Sequence, residues 1–157
     1  MKKALKLTAI VLALLFVGLQ FVRPARTNPA AVAGQSLEEV SPPPAEVARV
    51  LDRSCMDCHS NRTRWPWYSN VSPVSWFVAD HVEEGRREMN FSRWGGYTER
   101  QREGRLRAVC GTVREGFMPL NSYTLVHRGA ALTPDDAKAL CDWAASEEAR
   151  LSSSRER

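Results

Sequence analysis

The chain has 157 residues, of which 43% are hydrophobic; this excludes a disordered chain and allows one domain with its own core. Lys2, Lys3 and Lys6 supply most of the formal charge of +4, and 19 basic and 18 acidic residues follow them. A folded part so close to neutrality excludes a nucleic-acid footprint.

Residues 1–22, "MKKALKLTAIVLALLFVGLQFV", have a basic start and an apolar stretch from Leu7 to Val22, broken only by Thr8, Gly18 and Gln20. This is the pattern of a Sec-type export signal. The stretch is short for a membrane span, but snorkelling Lys6 and Arg23 extend it. The segment therefore reads as an uncleaved signal anchor; a signal peptide cut at "AVA", 31–33, is the alternative. In both cases the remainder is exported, lying on the periplasmic side of a bacterial inner membrane or free in the periplasm. Residues 23–43 are rich in Pro, Ala and Ser and read as a flexible linker. The domain is expected over 44–150, with a disordered tail at 151–157.

Four helices are predicted in the domain, and no stretch alternates as a strand does. The first runs from Pro44 to His59, with Val47, Val50 and Leu51 as its apolar stripe and Cys55 and Cys58 continuing that face. The second starts at Ser72-Pro73, carries Val74, Phe77, Val78 and Val82 at helical spacing, and ends near Gly85. The third begins with Thr98 as cap and Gln101 as its capping-box partner, and buries Leu106, Val109, Cys110, Val113 and Phe117. The fourth begins at Thr133-Pro134 with Asp135 and Asp136 at its positive end, and turns Ala137, Leu140, Cys141 and Ala144 inward. Loops over 60–71 and 86–97 are long for so small a domain, which suggests that they wrap something.

The motif "CMDCH" at 55–59 is compatible with three chemistries: a redox dithiol, half of a zinc site, or a haem attachment. A thioredoxin-like pair needs a βαβ setting, which an all-helical chain lacks. A structural zinc site needs four ligands, usually in two close pairs, and Cys110 and Cys141 are 31 residues apart. Two thiols at i and i+3 of a helix can each add to a haem vinyl group, with the histidine at i+4 delivered to the iron. This assigns one covalent haem c to Cys55 and Cys58, with His59 as proximal ligand. The sixth position has Met118, His127, His81 and Met89 as candidates; Met56 is confined to the attachment loop. Met118 is preferred, because Pro119 ends the helix before it and because it falls between the attachment motif and the last helix. His127 and His81 are the alternatives.

At this point a resemblance is visible. "CMDCHSN", "RWPWYSNVSPVSW", "HVEEGRREMNFSRW" and "MPLNSYTLVHRGAALT" resemble, in content and order, the bacterial haem-binding domain family of small exported c-type cytochrome-like proteins. The resemblance covers about residues 44–145, and the "NP" after the apolar stretch is similar to that family's usual start. It implies one covalent haem on Cys55, Cys58 and His59. It leaves Met118 and His127 both in matching blocks, and it supplies no reaction.

Trp65, Trp67 and Tyr68 either wall the haem edge or simply pack a satellite core. Arg62 and Arg64 are candidates for a haem propionate. Cys110 and Cys141 form either a disulfide, as an oxidising compartment allows, or two buried thiols. No Ser-His-Asp, paired-carboxylate or phosphate-loop arrangement is visible. The expectation is an all-α, cytochrome c-like domain that passes single electrons to redox partner proteins in the periplasm or inner membrane, a carrier more than an enzyme. Its rivals are a haem peroxidase-like activity with a labile sixth ligand, and a sensor or accessory module.

Overall fold

A computed structural model describes residues 1–155. The protein is all-α, and no strand forms among the described residues. Helix α1 spans Lys2–Leu19, α2 Leu37–Val40, α3 Ala45–Ser54, α4 Met56–His59, α5 Val74–Glu88, α6 Glu99–Arg114, α7 Asn121–Val126 and α8 Pro134–Arg155. Short 3-10 turns fill the two long loops, at Trp67–Asn70 and Phe91–Gly96.

The predicted first helix is broken. Cys55, with φ −126° and ψ −39°, separates α3 from α4, so the motif occupies a turn of its own. The third and fourth helices start as the capping signals require. Thr98 and Gln101 form a reciprocal capping box, and Thr133 and Asp136 exchange bonds of 2.8 and 3.1 Å in the same manner. The core is one cluster built on Leu37, Val47, Leu51, Phe91, Trp94, Leu106, Leu140 and Leu151. α6 packs along α8, and a Cys110–Cys141 disulfide joins them, its Cα atoms 4.8 Å apart. The sequence left that pair open; the pairing follows from both cysteines lying where the two helices pack together.

Three expectations change. The 23–43 segment is not a free tether. Leu37 is fully buried, Gly95 N–H donates to the Gln35 carbonyl at 2.8 Å, and a Cβ on Gly95 would lie 3.0 Å from the Gln35 Cα. Further back, Arg86 donates to the Thr27 carbonyl, Asn28 Oδ1 and Thr63 Oγ1 at 2.8 Å each, and to the Ser60 carbonyl at 2.8 Å. One guanidinium thus straps residues 27–28 to the loop after the motif. The tail is also ordered further than expected. α8 continues to Arg155 because Leu151 is buried in the core; residues 156–157 lie outside the described residues.

The third change concerns α1. It forms as an exposed helix with no buried residue, but no helix among the described residues is long and apolar enough to cross a membrane. Lys2, Lys3 and Lys6 fall inside it, which leaves the stretch from Leu7 to Leu19. At 1.5 Å per residue that stretch rises about 20 Å, against a hydrocarbon core of about 30 Å. A spanning anchor over 1–22 is therefore corrected to an apolar helix of signal-peptide length.

Candidate functional site

The motif turn α4 is held from both sides. Asn61, directly after it, donates its backbone N–H to Ser92 Oγ at 3.0 Å and accepts from Asn90 Nδ2 at 2.8 Å; Asn90 Oδ1 in turn accepts from Ser92 N–H at 2.9 Å. The polar residues of "HSN" and "MNFS" are thus buried and mutually satisfied, which fixes the two long loops to each other. On the other side α5 lies against the motif backbone at Gly85. A Cβ there would sit 2.7 Å from the Cys58 carbonyl oxygen, so only glycine permits this approach.

That approach sets the histidine. His59 Nδ1 lies 2.9 Å from the Gly85 carbonyl and 3.1 Å from the Met89 carbonyl. With two acceptors there, Nδ1 carries the proton and Nε2 presents its lone pair. This is the arrangement by which proteins orient an imidazole for a metal. Burial lowers the His59 pKa, against the opposing pull of those two hydrogen bonds, and so favours the neutral ring that ligation needs.

His59 and Cys55 line a cavity of about 520 Å³ whose far wall is built by α6 and by the loop carrying Met118. Gly116, at φ +73°, makes the left-handed turn that ends α6. The Phe117 and Met118 amides then bond back to the Thr112 carbonyl at 2.9 and 3.2 Å. The Met118–Pro119 peptide is cis. Of the sixth-ligand candidates, Met118 and Met89 share the cavity of His59, while His81 and His127 line a second cavity with Cys58. Trp67 and Tyr68 also face that second cavity.

The two thiols are free. Burial, then the neighbouring Cys58, pushes the Cys55 thiol up to about 12; burial, then Asp57, pushes the Cys58 thiol up to about 11. Neither thiol is thus held as the thiolate that a reactive redox dithiol uses. Arg62 pairs with Glu38, and Arg64 with Asp52 and Asp57; neither lines the cavity of His59, and Arg64 lines the second cavity with Cys58.

Two residues that sequence reasoning passed over take their place. Ser54 Oγ and Arg105 Nε are buried without a hydrogen-bond partner, and both residues line the His59 cavity. Orphaned donors in an apolar cavity fit a ligand that brings its own carboxylates, as a haem does with its propionates. Stacking over Tyr97, with Cζ 3.9 Å from the ring centre, holds the Arg105 guanidinium. The available signal was its position one helical turn before Val109.

The model of the haem-binding domain matches residues 14–146, most of the chain. The chain belongs to the haem-binding domain family. The matched segment of this haem-binding domain takes in the strapped residues 27–28 and the part of α1 from position 14 onward. No curated protein and no solved structure matches the chain.

Proposed function

We propose that this haem-binding protein is an exported carrier of single electrons, with one haem attached through Cys55 and Cys58 in a cytochrome c-like arrangement. His59 is the proximal ligand and Met118 the sixth. The observation that carries this reading is His59, its Nδ1 held by two backbone carbonyls and its Nε2 left for iron, in a cavity shared with Cys55 and Met118. Bound there, haem iron supplies a one-electron couple whose potential rises with methionine as sixth ligand.

The rest of the chemistry belongs to the chain. Gly85 and Met89 orient the imidazole, and Phe91 packs edge-on against it with the ring centres 6.5 Å apart. Ser54 and Arg105 receive the propionates, and the apolar wall excludes water. Export is supported by the signal-like α1 and by the Cys110–Cys141 disulfide, a bond of oxidising compartments. Its redox partners are proteins of the periplasm or inner membrane.

The test is the mass and spectrum of protein made in an exporting host. One added haem that survives denaturation, and is lost in Cys55→Ser/Cys58→Ser, is the expected result; full extraction of colour from the unaltered polypeptide by acid–acetone defeats the covalent reading. A low-spin spectrum, with the far-red methionine–iron band lost in Met118→Ala and kept in His127→Ala, is expected for the axial pair. A high-spin spectrum in the unaltered protein redirects the reading towards peroxidase chemistry.

A further inference from the structure

The tie between His59 and Met89 continues beyond that carbonyl. Met89 ends α5 in an extended conformation, φ −156° and ψ 134°, which turns its carbonyl out of the helical ladder and towards His59 Nδ1 at 3.1 Å. The same peptide unit carries the Asn90 N–H, which donates to the Tyr97 hydroxyl oxygen at 3.0 Å. His59 Nδ1–H, the Met89–Asn90 peptide and the Tyr97 hydroxyl therefore form one chain of hydrogen bonds. Each bond in such a chain polarises the next, and more so away from water. The Gly85 carbonyl, the other acceptor at Nδ1, is shared with the Met89 N–H at 2.9 Å.

Tyr97 is held in place for this contact. Its ring is half-buried and stands edge-on to the buried Trp94, with the centres 6.0 Å apart and the planes at 89°. Its backbone N–H donates to the Trp94 carbonyl at 3.2 Å, and its carbonyl accepts from Arg102 Nε at 3.0 Å. The ring also carries the Arg105 guanidinium, so the residue that supports the proximal ligand touches the cation that receives a propionate. Glu88 is a further charge acting on His59, but it is exposed, where solvent screens it.

We propose that Tyr97 is a positioning residue for the proximal ligand: its hydroxyl, acting through the Met89–Asn90 peptide, strengthens the hydrogen bond at His59 Nδ1 and so lowers the reduction potential of the bound haem. The inference rests on the electron-carrier reading and adds a residue that tunes it. An Nδ1–H drawn towards its acceptor makes the imidazole a more basic ligand, which favours the oxidised iron. The Arg105 cation, by contrast, favours the reduced iron. The two neighbours therefore push one couple in opposite directions.

The experiment compares the haem-loaded parent with Tyr97→Phe and Arg105→Gln, by redox titration against a reference dye and by proton NMR of the reduced protein carrying isotope-labelled histidine. Tyr97→Phe keeps the ring beneath Arg105 and deletes the acceptor of the Asn90 N–H. It should move the His59 Nδ1–H resonance upfield and quicken its exchange with water. It should also raise the potential, by at least about threefold in the equilibrium with the dye, which is about 30 mV at 59 mV per tenfold. Arg105→Gln should lower the potential and leave the His59 resonance where the parent has it. General loosening cannot imitate the Tyr97→Phe result, because water admitted to the haem favours the oxidised iron and lowers the potential. A parent-like resonance and potential in Tyr97→Phe overturn the proposal, as does a fall in potential there, and so does a resonance that moves equally in Arg105→Gln. A parent without covalent haem overturns the electron-carrier reading, and the inference with it, and is seen in the mass; unmoved values on covalent haem overturn the inference alone.

Discussion

Replacing Gly85 by alanine tests how the motif is held. The new methyl carbon would start 2.7 Å from the Cys58 carbonyl oxygen and 3.1 Å from its Cβ. Ordinary contact begins near 3.4 Å, so α5 and the motif turn must separate by about 0.7 Å, and the obstacle is backbone that cannot rotate away. Overpacking of this kind costs about 1–3 kcal/mol. The movement also stretches the 2.9 Å bond from His59 Nδ1 to the Gly85 carbonyl beyond useful length. That loss adds about 1 kcal/mol, while alanine returns about 1 kcal/mol of helix propensity. The steric cost prevails, and a net loss of about 1–3 kcal/mol is expected. Gly111→Ala in α6 is the control. Nothing lies within 4 Å of its Cβ position, so only the propensity gain remains, up to about 1 kcal/mol. Urea denaturation of the haem-loaded protein, followed by circular dichroism and the haem band, measures both. If Gly85→Ala proves as stable as Gly111→Ala and keeps the parent's haem spectrum, close packing of α5 does not orient His59.

Arg86→Met removes the four bonds that strap residues 27–28 to the motif loop. A loss of about 2 kcal/mol or more is expected, with new proteolytic cuts in the 20–30 segment on gel and mass analysis. Cys110→Ser/Cys141→Ser opens a link across 31 residues; the chain-entropy account puts its cost at about 3–4 kcal/mol, readable as a lower urea midpoint. Asp136→Asn tests the start of α8. Hydrogen bonds from Thr133 and the Arg53 guanidinium hold the Asp136 carboxyl below its ordinary value. The folded state therefore binds this proton less readily than the unfolded chain, and the carboxylate stabilises at neutral pH. The variant should be about 1 kcal/mol less stable at pH 7, and the gap should close as pH falls below about 4. A gap that persists at pH 2 removes the charge from the account.

The parts of this molecule that local chemistry dictates could be read directly from the chain. The caps at Thr98 and Thr133 act within three residues of themselves, and α6 and α8 start where those signals fall. The haem-binding family was legible too, carried by the content and order of the blocks from "CMDCHSN" onward. What escaped was set by long-range contact. Cys55 breaks a helix that its own stripe would continue, because α4 must turn against α5 at Gly85. Phe117, counted into the α6 stripe, is 64% exposed, because Gly116 ends the helix before it. Arg62 and Arg64 sat nearest the motif in sequence yet met acidic partners, while Arg105, some fifty positions along the chain, lies in the cavity. Richness in Pro, Ala and Ser made 23–43 look like a tether, because nothing in the segment itself announces the acceptors that Arg86 finds there.

Arg86, Ser72 and Trp76 also bear on maturation. Each has partners between Gln20 and Asn28, and these precede the small-residue site at 31–33. A peptidase cutting there would carry off, along with the leader, the strip that shields the start of α5 and caps a guanidinium. Loss of the leader would therefore leave Trp76 Nε1 and two of the Arg86 donors to find water in place of Val22, Thr27 and Asn28.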